Sequence, residues 1–431
     1  MNANVALKRL FWTAGVVFFA VGLLGWFDRL VYGHINANYG SIVTWGLWVA
    51  AYIYFIGLSA GSFLISSLVY VFEVKRFERI GRLAVFTAVV TLFLALLSIW
   101  ADLGHMGRAW HVLVYANFKS PMAWMIWLYS AYFALLLIEL WFLLRKDLVV
   151  GARTSDWRGS VYRLLSLGSR DVSATATARD QRIVRMLATI GVPLAIMFHG
   201  GVGALFGVVA ARPHWHSGMF PILFLLSALV SGGALLTVIV AVFQDGWRSN
   251  RDTVVMLGRT VLGLLLLDVL FQFSELLVAF YGGIPGHLAG LRLMIGGPFW
   301  WVFWGWQVAL GILIPVALLV APTRTDARWV SLAGLLIAVS FLGVRLNIVI
   351  PGLAAEEIHG LSTAFASVRM TTQYVPSVSE WLVVIGIVGL GLLLFGFGEL
   401  LLPREAVDAR GDGFCERRRV PAPEEVSHVR A

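Results

Sequence analysis

Ten apolar stretches, each long enough at ~1.5 Å rise per residue to cross a ~30 Å hydrocarbon core, constrain this chain more than any other feature. They fall near 10–31, 43–71, 83–104, 121–144, 183–211, 219–243, 255–280, 299–321, 328–351 and 380–402. In lipid every backbone N–H and C=O has to be satisfied inside the protein, so continuous runs of this length are helices. The expected fold is all-α, a polytopic membrane protein of about ten transmembrane helices. With 59% hydrophobic and 13% charged residues in 431, a soluble domain of this size is excluded.

Lys and Arg then set the orientation. Of the 33 basic residues, 24 lie in the termini and loops assigned to the inside, and the five outside loops hold Arg29, Arg108, Lys119, Arg212, Arg292 and Arg369. Both termini are expected in the cytoplasm. Eight of the nine histidines fall on the other side from most of the arginines, His199 within its span among them. The net charge of +9 is thus a topology signal and points to anionic lipid rather than nucleic acid. Residues 1–403 are read as the transmembrane domain and 404–431, polar and without periodicity, as a disordered cytoplasmic tail. The first span lacks a small-residue cleavage site and is followed at once by Asp28 and Arg29, so it is expected to be retained. Cys415 alone cannot hold an iron–sulfur cluster or attach a c-type haem.

Most connections are short. The exception inside, about 145–182, has amphipathic character around Val150, Trp157, Val161, Leu164 and Leu165 and suits the cytoplasmic surface. Gly57 with Gly61, and Gly203 with Gly207, are spaced for close helix packing. Ser120–Pro121 reads as N-cap and N1 of helix four, and Ser377 with Glu380 as a capping box opening helix ten.

Polar residues inside the spans are costly unless paired or hydrated. Asp268, Gln272 and Glu275 in helix seven are spaced i, i+4, i+7, so they share one face over ~10 Å. Two readings stay open: a buried ion pair with Arg345 of helix nine, at similar depth, or a proton path through all four. His199 in helix five suits a hydrogen bond to a quinone carbonyl, or equally one to a backbone carbonyl. A b-type haem would need two facing histidines, and no such pair is evident. His34, His105, His111, His214, His216, His287 and His359 sit in outside loops without the spacing of a metal site, so no metal is expected.

The segments WGLWVAAYIYFIGLSAGSFL (45–64), DLGHMGRAW and SPMAW (within 102–124) and HSGMFPILFLLSAL (216–229) resemble motifs of the NrfD/PsrC-type integral membrane subunits. RLNIVIPG (345–352) and YVPSVSEW (374–381) are similar to the longer, ten-helix branch that includes quinone-linked hydrogenase subunits. The resemblance implies two four-helix bundles with flanking helices, in the inner membrane of a bacterium or archaeon. It implies a subunit without haem or iron–sulfur cluster that binds quinone, menaquinone or ubiquinone, near the outward face. Electrons would pass between that quinone and a four-cluster ferredoxin-like iron–sulfur subunit attached to a catalytic subunit, a molybdoenzyme, hydrogenase or cytochrome c. Carried over by position, Asp102 and Arg108 match the family's DLG-x-P-x-R element, with His105 where arginine is common. His199 matches a helix-five histidine, and Glu275 in FSELL resembles an FGEL segment. The expected quinone site is therefore His199, Asp102, His105 and Arg108, with Asp268, Gln272, Glu275 and Arg345 as a proton path.

Two other classes compete. A secondary transporter should show inverted repeats with interrupted helices, and no convincing repeat is found. A purely structural anchor would tolerate loss of every intramembrane polar residue.

Overall fold

Each expected span is a helix in the computed structural model, which describes residues 3–73, 80–243, 250–358, 360–364, 367 and 369–401. They are α1 (Ala3–Tyr32), α2 (Leu47–Tyr70), α3 (Gly81–Asp102), α4 (Pro121–Gly151), α5 (Ala174–Gly207), α6 (Phe220–Phe243), α7 (Arg251–Gly282), α8 (Val302–Val320), α9 (Ala327–Ala354) and α10 (Val378–Leu401). All ten are long and apolar enough to cross a membrane. The protein is an all-α polytopic membrane protein. The expected tail at 404–431, together with His359, Lys75, Arg76, Arg79 and Arg248 of the topology reading, lies outside the described residues.

Helices α2 to α5 form one four-helix bundle, each packed on the next with α5 closing on α2. Helices α6 to α9 form a second, joined to the first where α6 meets α2 and α5 and where α9 meets α2. Outside them α1 and α10 pack on each other and on α3. Odd-numbered helices run toward the end that carries the histidine loops, called here the histidine end; the opposite end is the arginine end.

The seam between the bundles depends on backbone approach. A Cβ on Gly61 of α2 would lie 1.9 Å from the Ala228 carbonyl oxygen of α6, and one on Gly232 of α6 would lie 2.5 Å from the Ser62 nitrogen. Between lipid-embedded helices there is no hydrophobic drive, so this contact is made by small residues in van der Waals packing.

Four helices outrun their hydropathy at the arginine end, α1 by starting at Ala3. α4 continues to Gly151, α5 starts at Ala174 and α7 at Arg251. The reason in α4 and α5 is a buried ion pair: Arg145 Nε donates to Asp180 Oδ2 at 2.5 Å, and its Nη1 to Ser169 Oγ at 2.8 Å and the Asp171 carbonyl at 2.7 Å. Arg145 is therefore a core residue rather than a loop charge. The amphipathic stretch is a helix, Trp157–Leu165, capped by Asp156, whose carboxylate accepts from the Gly159 nitrogen at 2.9 Å. It docks through Tyr162, packed on Leu144 and Leu148, with its hydroxyl donating to the Leu401 carbonyl at 2.5 Å.

The local readings at the other end hold in detail. Pro121 opens α4 behind Ser120 as N-cap, although the serine side chain makes no cap hydrogen bond. Ser377 Oγ accepts from Glu380 N at 3.2 Å while the Glu380 carboxylate accepts from Ser377 N at 2.9 Å, a complete capping box.

Candidate functional site

The second bundle is not solid. Its histidine-end half holds an open-mouthed cavity. α6 contributes Phe224 and Ser227, α7 contributes Asp268, Gln272 and Glu275, α8 contributes Phe303 and Gln307, and α9 contributes Arg345 and Asn347. His214 from the α5–α6 loop and His287 from the short helix Pro285–Ile295 close it. The i, i+4, i+7 face of α7 thus looks into space rather than into a neighbouring helix.

A relay of hydrogen bonds crosses this cavity wall. Gln272 Nε2 donates to Asp268 Oδ2 at 2.6 Å, Gln307 Nε2 to Gln272 Oε1 at 2.8 Å, and Asn347 Nδ2 to Gln307 Oε1 at 2.7 Å. Because each amide donates along the relay and the two glutamines accept from the next member, the order fixes the orientation of all three side chains. Gln307 reaches the relay from a π-helical stretch, Val302–Leu313, that ends next to Pro315, a residue with no N–H to continue the preceding turn.

Arg345 lies at the inner edge of the same wall. Its Nη2 donates to Ser227 Oγ at 2.5 Å, its guanidinium sits 4.6 Å from the centre of the Phe224 ring, and Ser227 in turn donates to the Phe224 carbonyl at 2.9 Å. That carbonyl is also the partner of His199 Nε2, at 2.8 Å. Gly57 makes room: a Cβ there would stand 3.4 Å from Arg345 Nη2 and 3.7 Å from His199 Cε1. Arg345 and Asp268 act on each other electrostatically, yet among the described residues they form no ion pair within 4.0 Å. The close ion pair weighed from the sequence is replaced by a spaced pair, with Asp268 Oδ1, Arg345 Nε, Asn347 Oδ1 and His199 Nδ1 left without hydrogen-bond partners.

The histidine end is held over the cavity by its loop. Trp215 Nε1 donates to the Ile348 carbonyl at 2.7 Å, and Arg212 donates to the Leu353 carbonyl at 3.0 Å while pairing with Glu357 at 2.6 Å. These contacts fix His214 between them. Burial pushes the His214 imidazole down to about 4, the nearby His287 adding to the effect and the Asn347 backbone opposing it.

A second polar cluster sits at the histidine end of α1, α3 and α10. Arg29 donates to the Ala101 and Leu103 carbonyls, both at 2.6 Å, and to His34 Nε2 at 2.7 Å. A guanidinium can only donate, so His34 is neutral with its proton on Nδ1, directed at the Tyr39 hydroxyl. Burial lowers the His34 imidazole and raises the Tyr39 phenol, and it raises Tyr374, which bonds Glu380. Asp102 stands beside this cluster, within the field of Arg29 and Glu380, its Oδ1 unpartnered.

The expected quinone set is therefore split. His199 belongs to the second-bundle network, Asp102 to the α1–α3–α10 cluster, and His105 and Arg108 are exposed on the loop after α3. Asp268, Gln272, Glu275 and Arg345 all line the one cavity. Sequence reasoning missed Gln307, Asn347 and Ser227, whose polar side chains in apolar spans were the available signal. It also missed the Arg29–His34–Tyr39 contact, which local spacing does not announce.

The architecture is that of a polytopic helical membrane protein with a polar cavity at one end of its second bundle. Residues 35–355 match the family described as Polysulphide reductase, NrfD, and the chain belongs to that family. It is 37% identical to a subunit of the selenate reductase of Mesobacillus selenatarsenatis over 404 residues, 92% of this chain and 94% of that protein. It is 29% identical to the Hdr-like menaquinol oxidoreductase integral membrane subunit of Archaeoglobus fulgidus over 91% of this chain and 94% of the other. The menaquinone reductase integral membrane subunit of Nitratidesulfovibrio vulgaris is 23% identical over 92% of both proteins.

Proposed function

We propose that this chain is the quinone-interacting subunit of a membrane-bound respiratory oxidoreductase complex, with both termini in the cytoplasm of a bacterium or archaeon. Its partners would be an extrinsic ferredoxin-like iron–sulfur subunit and a catalytic subunit. The names of the menaquinol oxidoreductase, menaquinone reductase and selenate reductase relatives support this class. The observation that carries it is the second-bundle cavity: apolar walls for a ring, and an unbroken polar relay from Asp268 to Asn347 along one side.

A quinone takes up two electrons and two protons to become a quinol, the electrons arriving from the cofactor-bearing partner. The residues present fit the reduced form. Asp268 Oδ1 and Asn347 Oδ1 are buried acceptors without donors, and quinol hydroxyls are donors. Phe224 and Phe303 flank the space and keep water from competing. Asp268 would hold the proton exchanged with the ring oxygen, Gln272 and Gln307 would orient it, and Arg345 would balance its charge without quenching it in a contact pair. His199 would act through the Phe224 carbonyl and Arg345. Glu275, on the same face of α7, would pass protons toward the histidine end.

A second reading places the ring at Asp102, with His105 and Arg108 at the entrance, and is favoured by the unpartnered Asp102 Oδ1 beside Arg29. A photoreactive quinone analogue on the assembled complex separates the two. Crosslinks to α7, α9 or the Pro285–Ile295 helix support the cavity, and crosslinks confined to 102–111 support the second reading. Specific labelling of neither region, competed by quinone elsewhere, overturns both.

A further inference from the structure

The first bundle holds a carboxylic acid that the second-bundle network does not use. Glu139 on α4 is 0% exposed, and neither of its oxygens has a hydrogen-bond partner. The nearby cations are committed elsewhere, Arg145 to Asp180 and Arg82 to Asp147. Contacts on either side locate it: Leu135 lies beside Gly191 and Arg145 beside Asp180, so Glu139 is opposite the 184–188 turn of α5, whose buried members are Val184 and Ala188. On α3 the Tyr129 bond to the Leu92 carbonyl and the Arg82–Asp147 pair bracket it around Thr87, whose hydroxyl is spent on the Leu83 carbonyl. On α2 the hydroxyls of Ser66 and Ser67 bond their own helix. The titratable side chain that it acts on is Tyr132, two turns back on α4.

Tyr132 Oη, which stands beside Ser59 while the Ser59 hydroxyl donates to the Ala88 carbonyl, and Ser62 Oγ on α2 are also buried without a full hydrogen bond. The four orphaned polar atoms of Glu139, Tyr132 and Ser62 call for an explanation, because buried polar groups are almost always bonded to protein or to water. An unpaired carboxylate in such a place would cost far more than a neutral acid. A neutral acid still has an O–H to place, and internal water with two to four polar partners is the usual answer.

We propose that Glu139 is a second proton-exchange site, a carboxyl that holds a proton and trades it through internal water with the Tyr132 hydroxyl on one side and the arginine end on the other. One O–H bond breaks and another forms; no electrons move. The arginine end is close, since Glu139 lies six residues, ~9 Å along the axis, before Arg145 and its polar cluster of Ser169, Asp171 and Asp180. This site does not depend on where quinone binds.

Infrared difference spectra of the detergent-extracted complex in H₂O and D₂O test the idea. The expected result is a protonated-carboxyl band that shifts in D₂O and disappears in Glu139→Gln. A band lost in Glu139→Gln but unmoved by D₂O would make the residue a sealed structural acid and overturn the proposal, as would the absence of any band difference. If Glu139→Gln does not assemble, the native complex in membranes decides through a hydrophobic carbodiimide, which modifies protonated buried carboxyls. Peptide mapping should then find an adduct on Glu139, and an unmodified Glu139 overturns the proposal. In proteoliposomes Glu139→Gln should lower protons moved per electron pair while leaving dye-linked turnover by the catalytic partner intact.

Discussion

The two four-helix bundles both bury charged side chains but handle them in opposite ways. In the first, the strong charges are matched in contact pairs toward the arginine end, Arg145 with Asp180 and Arg82 with Asp147, and Glu139 lies buried apart from them. In the second, Arg345 and Asp268 are held apart, and amides and hydroxyls fill the gap in a directed relay beside open space. Both arrangements leave some hydrogen-bonding capacity unused, Arg145 Nη2 and Asp180 Oδ1 in the contact pair and Asp268 Oδ1 and Arg345 Nε in the spaced one, but the spaced pair borders the cavity. On the reading proposed above, the contact pairs serve assembly and the spaced pair leaves groups available for chemistry.

The sharpest way to break this comparison is to exchange the kind of damage. Arg145→Ala leaves the buried Asp180 with only the exposed Arg179 at 3.8 Å and should lower stability by up to about 3–5 kcal/mol. The measurement is the thermal midpoint and yield of the extracted complex, and a wild-type midpoint would show that the first-bundle pair is not structural. Asp268→Asn keeps the side-chain shape and removes a titratable proton, so it should slow quinol-linked turnover about 10²-fold. That corresponds to about 2.7 kcal/mol of barrier. Its midpoint should stay near wild type, because no contact ion pair is lost; a large drop in midpoint with full activity would reverse the roles assigned to the two bundles.

Smaller effects sharpen the picture at the edges. Asp156→Ala removes the cap of the Trp157–Leu165 helix and should speed amide exchange over 157–165 with activity unchanged. A pH-dependent effect concerns His214. Its folded imidazole, near 4, lies below the ordinary value of 6.5, so between those pH values the unfolded chain binds the extra proton. Stability from this group is full above about pH 6.5 and lost as pH falls toward about 4. His214→Asn should flatten that part of the stability curve, and an unchanged acid limb would remove His214 from the account.

Much of this was legible residue by residue. Hydropathy located every membrane-spanning helix though not the short Pro285–Ile295 helix, and the Ser377–Glu380 capping box was readable because its partners are three residues apart. The shared face of Asp268, Gln272 and Glu275 was readable for the same reason. Glu139 could have been found as well, since a glutamate within LLLIELWF is a charge inside an apolar span. Its companion on the same face is the Tyr132 phenol seven residues back, a side chain common in apolar spans, so the spacing alone does not single it out.

The sequence by itself determined the helices, their number and the alternation of basic and histidine-bearing ends, because these depend on hydrogen bonding and charge within a few residues of each position. Only the tertiary structure decided that Gln272 meets Gln307 and Asn347, that Arg345 turns to Ser227 instead of Asp268, and that Glu380 ties back to Asn38 and Leu47. Those pairings join residues from 35 to 342 positions apart. They are set by how far small residues such as Gly57 and Gly61 let one helix approach another, a distance no single helix encodes.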